Sequence, residues 1–483
     1  MKHVLGAFLM LLALAWRATV VITPLLGVWL SSSLISYLGG PRGLALIGAL
    51  LLFPLLPFAW EAFAEHRFRR QVRAAQFNSR RPPKRFLKAI DRFVLRTMFL
   101  NGAFIALLLA WYPKPSFTAL ATRGDWFLDG RHDPSSEQLR GKLFAAAENL
   151  EWLHELANPN PYKKEGDGKP VPADVKPIVE KKPEPKAAET GWAVGKTIWP
   201  LEDKPHPTIA AMSASAESGI QSVAAYVVQN ESDPFLRVKA LHDWAVSRLH
   251  YDKESITGER KPQDAESVFR NRMGVCEGYA RLMVEFGRFA DIPIEYVVGE
   301  VRERDGKVAS SGHAWNTVKL GEQWYFLDAT WDDPTSAGDA PADNYQTDYL
   351  FTPPSVAIFD HLPEDPRWQL LDRPLDRGEF LRQPMASPGF AKLGLTLLSP
   401  DRPLVDAKGS VKVELENPRG LFMLATITPV GGTDKRKCEV KAGTLVTAMC
   451  GLSSLGSFDL RLFANKEEYG SYSQVAAIGV HSM

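Results

Sequence analysis

The residues best suited to chemistry are a cysteine, a histidine and an aspartate that follow one another along the chain. Cys276 stands in "GVCEGYA", where a polar loop gives way to residues at helical spacing, and His313 and Asp328 stand in "SSGHAWNTV" and "FLDATWDD". A helix N-terminus offers partial positive charge and unpaired N–H groups, which favour a thiolate. A cysteine nucleophile also needs a base and a group that orients the base. The pattern therefore predicts a thiol site in which the Cys276 N–H is one oxyanion donor.

Two strands joined by a short turn must bring the base and the acid together. "HAWNTVKL" and "WYFLDATW" alternate with the period of strands and are joined at "GEQ". A two-residue turn at Gly321 and Glu322 would place His313 opposite Thr330, with Asp328 as a diagonal neighbour within side-chain reach. A three-residue turn would reverse that parity, so the prediction depends on the turn length.

The glycines and tryptophans around these residues have competing interpretations. Gly274 and Gly278 flank the cysteine and are expected to leave backbone space for a substrate carbonyl. Trp315 and Trp331 could wall the cleft or pack in the core. Another histidine, His361 in "FDHLPEDPRWQLL", is expected to belong to a packing segment rather than to the catalytic group. No acidic cluster resembling a calcium site is visible, so no metal and no cofactor are expected.

Each reactive residue also has an ordinary explanation when it is considered alone. A buried cysteine is more often a small core hydrophobe than a nucleophile. An isolated histidine on a strand usually makes a structural hydrogen bond. The joint order of a cysteine at a helix start and a His and an Asp on successive strands favours the catalytic interpretation.

The first quarter of the chain is predicted to be embedded in a membrane. Long apolar runs occupy residues 4–112, and nothing after residue 120 approaches the roughly 20 apolar residues that cross a bilayer. Clear spans lie at about residues 43–61 and 94–112. Residues 4–38 exceed one helix, which leaves three alternatives: one long helix, a helical hairpin, or a signal peptide cleaved near "ALA" at residues 13–15.

The charge between the two clear spans predicts the orientation of the protein. Residues 67–96 carry eleven Lys or Arg and a single acid, Asp91. The positive-inside rule makes the loop at residues 66–93 cytoplasmic and places everything after about Pro113 outside. The alternative, a patch for nucleic acid or anionic lipid, is less favoured because the flanking spans already account for the charge. We expect no nucleic-acid partner, and the oligomeric state stays open.

Composition divides the chain into segments, and the fold class is predicted as α+β. Cys438 and Cys450 frame a hairpin centred on Thr444 and could form a disulfide outside the cytoplasm, which would leave Cys276 as the unpaired thiol. The predicted segments are a transmembrane helical anchor at 1–115, an amphipathic helical segment at 116–157, an extended Pro/Lys/Glu-rich linker at 158–203, a catalytic domain of helices on an antiparallel sheet at 204–375, and an immunoglobulin-like β-sandwich at 385–483.

Two segments resemble a known superfamily. "VFRNRMGVCEGYARL" and "SSGHAWNTVKLGEQWYFLDATWDD" resemble the transglutaminase-like cysteine hydrolases, a papain-like fold with a triad in the order Cys, His, Asp. The segment "DYLFTPPSVAIFDHLPEDPRWQLLDRPLDRGEFL" and the strands after it resemble the kyphoscoliosis peptidase and hillarin branch. The resemblance covers about residues 215–480. It implies Cys276 as nucleophile, His313 as base and Asp328 as orienting acid. The second oxyanion donor stays open: Tyr251 and Trp244 are the candidates, and a core position is the favoured alternative for each.

These inferences predict an integral membrane enzyme of a bacterial inner membrane, with its catalytic domain on the extracytoplasmic, periplasmic side. It would cleave or transfer amide acyl groups of protein or peptide substrates, and peptidase activity is favoured over cross-linking because no acceptor-site feature is visible. The alternative is a non-catalytic envelope scaffold that uses the same domains as binding modules.

Overall fold

The computed structural model describes residues 2–129, 131, 133–151, 160–163, 175, 199–303, 307–309, 311–336 and 345–482. Within these ranges, helices fill the first third of the chain, helices and a four-stranded antiparallel sheet form the middle, and strands dominate the C-terminal part. The mixed α+β class with apolar N-terminal helices is confirmed. The immunoglobulin-like description of the C-terminal part stays a prediction.

Apolar helices form the N-terminal region. Residues of the predicted first span form one continuous helix, α1, so the helical hairpin is not observed. Three stretches are long and apolar enough to cross a membrane, namely Ala13–Tyr37, Arg42–Phe77 and Ala89–Trp111. The helices of this region are α1 (Lys2–Tyr37), α2 (Arg42–Leu50), α3 (Leu56–Phe77), which follows α2 after a kink at Leu51–Leu55, and α4 (Ala89–Trp111).

Two further helices, α5 (Pro113–Arg123) and α6 (Pro134–Glu148), connect these spans to the rest of the molecule. The carboxylate of Asp133 accepts a hydrogen bond from the N–H of Ser136 at 3.1 Å, which caps α6. The predicted helical segment at 116–157 thus contains most of α5 and all of α6, and its positions 152–157 lie outside the described residues.

Buried ion pairs connect the segment around α5 to the C-terminal region. The guanidinium of Arg123 lies 2.6 Å from Asp129 and 3.3 Å from Asp406, and all three side chains are largely buried. Arg402 pairs with the buried Asp125 at 3.0 Å. The C-terminal part therefore packs directly on the helices that follow the membrane spans.

The middle region contains two helices of 15 residues each, α9 and α12, and several shorter ones. Asp233 caps α9, because its carboxylate accepts from the N–H groups of Phe235 and Leu236. The apolar faces of α8, α9 and α12 share one core. The helices are α7 (Pro207–Ala210), α8 (Ile220–Asn230), α9 (Pro234–Arg248), α10 (Glu254–Thr257), α11 (Ala265–Asn271), α12 (Cys276–Ala290), α13 (Ala329–Asp332) and α14 (Pro354–Ala357).

The strands of the middle region form a parallel pair and one antiparallel sheet. The sheet has the order β5-β4-β3-β6. Gly321, at φ +61°, occupies the predicted two-residue turn between β4 and β5, and Leu320 pairs with Gln323, so the predicted turn and register are confirmed. The pairing ends at Asn316 and Leu327, however, because the chain turns into α13. The predicted pairing of His313 with Thr330 is therefore wrong, and His313 pairs with Gly299 of β3 instead. The strands are β1 (His250–Tyr251), β2 (Met273–Gly274), β3 (Ile294–Val301), β4 (His313–Leu320), β5 (Gln323–Leu327) and β6 (His361–Pro363).

Two sheets that share one core form the C-terminal region, with the orders β13-β14-β10-β8 and β12-β11-β15-β16-β7, and β9 pairs with β16. The elements are α15 (Arg377–Arg382), β7 (Met385–Ala386), α16 (Pro388–Lys392), β8 (Thr396–Ser399), β9 (Leu404–Ala407), β10 (Ser410–Glu416), β11 (Phe422–Pro429), β12 (Arg436–Lys437), β13 (Glu439–Lys441), β14 (Leu445–Gly451), β15 (Gly456–Asn465) and β16 (Ser473–Ser482).

The hairpin of β13 and β14 pairs Glu439 with Met449, and one step outward Cys438 and Cys450 form a disulfide. The predicted cysteine pair is therefore present in the structure.

Parts of the predicted linker at residues 158–203 pack against the protein. Trp199 and Leu201 are buried, and Val175 contacts the apolar cluster around Trp315. Within the described residues the linker is thus not a freely solvated spacer. The remainder of the predicted linker, 158–159, 164–174 and 176–198, lies outside the described residues.

Candidate active site

Cys276 is the first residue of α12, as its sequence context predicts, and only 1% of its surface is exposed. The residue before it, Val275, donates its N–H to Oε1 of Gln263 at 2.9 Å. The N–H groups of the first helical turn have no partner within the helix, so the Cys276 N–H is placed to donate to a negative charge that develops beside the sulfur.

The glycines around Cys276 serve helix packing. A Cβ on Gly278 would lie 2.6 Å from Oε1 of Gln263 and 2.7 Å from a methyl group of Val268, and one on Gly274 would lie 3.2 Å from Val268. The expectation that these glycines leave room for a substrate carbonyl is therefore wrong. They let α11 and Gln263 approach the backbone closely, which fixes the position of the turn that carries the cysteine.

His313 begins β4, and its Nε2 lies 2.6 Å from Oδ2 of Asp328. The carboxylate is also the N-cap of α13, since its Oδ1 accepts from the N–H groups of Thr330 at 2.8 Å and Trp331 at 3.3 Å. A tight strand connection therefore delivers the histidine and a helix start orients the acid. Because Nε2 is engaged by Asp328, Nδ1 is the ring nitrogen left for the sulfur of Cys276.

Electrostatics favour a charged His313. Burial alone would lower its pKa, but the Asp328 carboxylate and the Cys276 sulfur outweigh burial and raise the pKa of His313 to about 10. The pKa of Asp328 is lowered in spite of burial, because His313 and His361 both interact with its charged form. The arrangement thus stabilises a carboxylate and an imidazolium beside a thiol.

A second histidine, which the sequence assigned to packing, also contacts Asp328. Nε2 of His361 lies 3.1 Å from Oδ2 of Asp328, and its Nδ1 lies 2.7 Å from Oδ1 of Asp360. The hydroxyl of Tyr349 donates to the other Asp360 oxygen at 2.7 Å. The segment packs as expected, and His361 in addition contacts the acid of the candidate triad. The only hint in the sequence is the Asp-His pair amid aromatic residues.

His313, Asp328 and His361 offer ligand atoms within 4.8 Å of one another, which is close enough to consider a metal ion. Both Nε2 atoms, however, lie at hydrogen-bond distance from the same carboxylate oxygen. When these ring nitrogens carry their protons, the group is a proton network in which two imidazoles donate to one carboxylate oxygen.

The two candidate cleft-wall residues differ in exposure. Trp315 is 1% exposed and stacks near His313, with ring centroids 5.9 Å apart, so it packs in the core. Trp331 is partly exposed and its ring lies 5.6 Å from His313. Of the two, Trp331 has the position of a wall residue.

The two candidate oxyanion donors also have different surroundings. Trp244 is fully buried, and its ring stacks on Phe269 with centroids 4.9 Å apart beneath the guanidinium of Arg272. Tyr251 packs against the small cluster that contains Cys276. Burial, followed by the charge of Cys276, raises the pKa of Tyr251, so its hydroxyl keeps a proton to donate. The structure places Tyr251, and not Trp244, at the site.

A residue that sequence analysis missed covers the sulfur. Tyr162, within the predicted linker, is buried in one cluster with Cys276, Val275, Ala280 and Ala314. Burial and its interaction with Cys276 raise the pKa of Tyr162 to about 12. No local pattern announces this residue, because the linker composition around it indicates an extended, solvated chain.

Contacts on both sides hold Tyr162 in place. Tyr296 donates its hydroxyl to the Tyr162 carbonyl at 3.0 Å, and the amide of Asn160 donates to the Gly299 carbonyl at 3.2 Å. The guanidinium of Arg260 lies over the Tyr162 ring, 5.0 Å from its centroid. The linker residues thus close the site over Cys276.

The fold and the site together describe a class of thiol proteins in which a helix-start cysteine meets a histidine and an aspartate from a following hairpin. A family model of the transglutaminase-like superfamily matches residues 221–329. This chain contains a transglutaminase-like domain.

Relatives extend the match beyond that domain. Kyphoscoliosis peptidase of Mus musculus is 26% identical over 281 residues, which is 54% of this chain and 41% of that protein. The Homo sapiens kyphoscoliosis peptidase is 27% identical over 286 residues, with the same coverage. The match thus spans less than half of either relative. The solved structure of a proposed cysteine protease from Cytophaga hutchinsonii is 21% identical, covering 28% of this chain and 45% of that one, with a TM-score of 0.21 that supports no conclusion.

Proposed function

We propose that this protein is a membrane-anchored thiol enzyme that cleaves or transfers amide acyl groups of protein or peptide substrates. The observation that carries the proposal is the contact of His313 with Asp328 at 2.6 Å in a buried site whose only thiol, Cys276, begins a helix. The residues in the roles of nucleophile, base and orienting acid are Cys276, His313 and Asp328.

The proposed chemistry proceeds through a thioester. The Cys276 thiolate attacks the substrate carbonyl, whose oxygen becomes an oxyanion held by the Cys276 N–H and the hydroxyl of Tyr251. His313, as imidazolium, gives its proton to the leaving amine, and the C–N bond breaks. Neutral His313 then takes a proton from water or an acceptor amine, which attacks the thioester and releases Cys276. Water gives hydrolysis and an amine gives transamidation; we favour hydrolysis.

Charge and redox arguments support an outward-facing domain. The eleven basic residues of 67–96 favour the cytoplasmic side for that loop. The third span, Ala89–Trp111, then ends outside the cytoplasm. The Cys438–Cys450 disulfide supports the same side, because structural disulfides persist in oxidising compartments. We propose an extracytoplasmic site in the envelope of a bacterium, followed by an immunoglobulin-like β-sandwich.

One observation favours a second candidate, a non-catalytic envelope scaffold. Cys276 is 1% exposed in a cluster that includes Tyr162, so a substrate carbonyl reaches the sulfur only after neighbouring side chains move. In a scaffold the closed state would be permanent, and the domain would act as a binding module.

The two candidates are separated by thiol labelling of the full-length protein in detergent. Iodoacetamide is applied across pH to the wild type and to His313→Ala, with Cys276→Ala as the control for site specificity. The enzyme predicts labelling at neutral pH that the His313 substitution slows by about a hundredfold or more. Labelling that is indifferent to His313 would favour the scaffold. A peptide library with and without an added labelled amine then separates hydrolysis from transamidation by product mass.

A further inference from the structure

The strand order brings His361 into contact with Asp328. It begins the edge strand β6, where it pairs with Val301 of β3, and it is 2% exposed. Gly299 of β3 permits this, because a Cβ there would lie 2.1 Å from the Leu362 carbonyl and 2.5 Å from the Trp315 ring. The close approach of β6 carries the imidazole to Asp328.

Its two ring nitrogens face two carboxylates. Asp328 and Asp360 lie at 3.1 Å and 2.7 Å, and an ionised carboxylate only accepts hydrogen bonds. Both nitrogens therefore carry protons when both acids are charged. Burial lowers the pKa of His361, but the charges of Asp360 and Asp328 outweigh it and raise the pKa.

The other neighbours of the His361 imidazole are aromatic rings and a few charged groups. Trp331 and Phe326 contact the ring, with centroids 4.5 Å and 5.0 Å away. The titratable and charged groups that face His361 or its acid partners are Asp328 on α13, the adjacent Asp360, Tyr349, which donates to Asp360, His313 on β4 with a centroid 5.6 Å away, and Arg302 at the end of β3, which interacts with Asp360.

The consequence for Asp328 is a full set of donors. Two backbone N–H groups engage Oδ1, and the Nε2 atoms of His313 and His361 share Oδ2. Without His361, one of these four donors is lost, and the entire negative charge of Oδ2 acts on His313.

We propose that His361 is a positioning residue for the acyl-transfer reaction, whose protonated ring holds the Asp328 carboxylate against His313 and offsets part of its charge. The inference rests on the proposed function. It has two separable consequences, one for geometry and one for charge. Loss of the hydrogen bond loosens the His313–Asp328 pair, whereas loss of the positive charge stabilises protonated His313 further.

Two variants separate these consequences. His361→Gln places an amide donor near the position of Nε2 without a charge, whereas His361→Phe keeps a ring and removes both. The matched control is His242→Gln, since His242 is fully buried and lies 3.2 Å and 3.1 Å from the carboxylates of Asp243 and Asp332, without a hydrogen bond to Asp328. All variants are made in the full-length protein, with and without Tyr162→Ala to uncover the sulfur, and their folding is checked by circular dichroism.

The measurements are the rate of Cys276 alkylation by iodoacetamide at neutral pH and the pH profile of kcat for a peptide substrate. We expect His361→Phe to slow alkylation by about ten- to hundredfold, because a hydrogen bond to the charged Asp328 carboxylate is lost. The same variant should move the alkaline limb of kcat, which follows loss of the His313 proton, to higher pH. His361→Gln should recover most of the rate while keeping the shifted limb. Folded His361 variants that match the wild type in rate and limb, or a His242→Gln variant with the same changes, would overturn the proposal.

Two further results bear on it separately. A stoichiometric metal in the purified wild type that is lost in His361→Phe would replace the proton network by a ligand set and overturn the proposal. If alkylation of the wild type is itself indifferent to His313→Ala, the proposed function fails. The proposal for His361 fails by a different result: labelling of the wild type depends on His313, but His361→Phe behaves like the wild type.

Discussion

The molecule holds its cysteines in two opposite environments. Cys276 begins a helix and interacts with a histidine under a tyrosine cover, whereas Cys438 and Cys450 lie across a β-hairpin and are oxidised to a disulfide. Burial does not distinguish them, since Cys276 is 1% exposed and Cys450 is 0% exposed. Position in the secondary structure and the neighbouring partner decide whether a cysteine is placed for chemistry or for cross-linking.

The largest expected effect tests whether the two environments have separate roles. Cys276→Ala should lower turnover of a peptide substrate by about a millionfold, as loss of the nucleophile does in other acyl-transfer enzymes. The double variant Cys438→Ser/Cys450→Ser should retain turnover. Steady-state kinetics on both proteins, each shown to be folded, checks this. Residual turnover of Cys276→Ala within tenfold of the wild type would remove the distinction.

The next effect concerns pH. The pKa of His313 is raised to about 10 from an ordinary value of 6.5. Protonated His313 therefore contributes fully to the stability of the folded protein below pH 6.5, and this contribution is lost as the pH rises through 10. Because the imidazolium protonates the leaving amine, kcat should fall about tenfold per pH unit above that value. In Asp328→Asn the limb should move to lower pH, because the carboxylate that raises the pKa is gone. A profile that is flat to pH 11 would contradict this.

The disulfide should matter for stability alone. Removing a cross-link between residues 12 apart should lower the free energy of unfolding by about 2–4 kcal/mol, through the greater freedom of the unfolded chain. Differential scanning calorimetry of the Cys438→Ser/Cys450→Ser variant measures the loss. The rate of Cys276 alkylation should be unchanged, and a slower rate would show that the two environments are coupled.

The smallest expected effect tests whether Tyr162 limits access to the sulfur of Cys276. Tyr162→Ala should speed alkylation of Cys276 by about tenfold. This assumes that the tyrosine stabilises the closed site by about 1.4 kcal/mol relative to the open one, which corresponds to a factor of ten in population. Tyr472→Ala, at a partly exposed position in the C-terminal region, is the matched control and should have no effect. Unchanged labelling of Tyr162→Ala would mean that the tyrosine does not limit access to the sulfur.

Local features of the site were predictable from the sequence because neighbouring residues encode them. The turn at Gly321 and Glu322 sets the β4–β5 register, and that register brings His313 to Asp328. The same reasoning places Cys438 beside Cys450. The length of the apolar runs indicated the candidate spans, and helical spacing after a polar loop indicated the start of the helix at Cys276. Each of these depends on hydrogen bonds and side-chain alternation over a few residues.

Contacts between distant segments were decided by the tertiary structure. Tyr162 lies 114 positions before Cys276 along the chain, in a segment whose composition predicts solvent exposure. His361 reaches Asp328, 33 residues away along the chain, because β6 pairs with β3 on the edge opposite β4. The glycines at 274 and 278 look like space in the sequence, but packing of Gln263 and Val268 fills it. The sequence by itself therefore determined which residues could react, and packing between distant segments decided what covers and orients them.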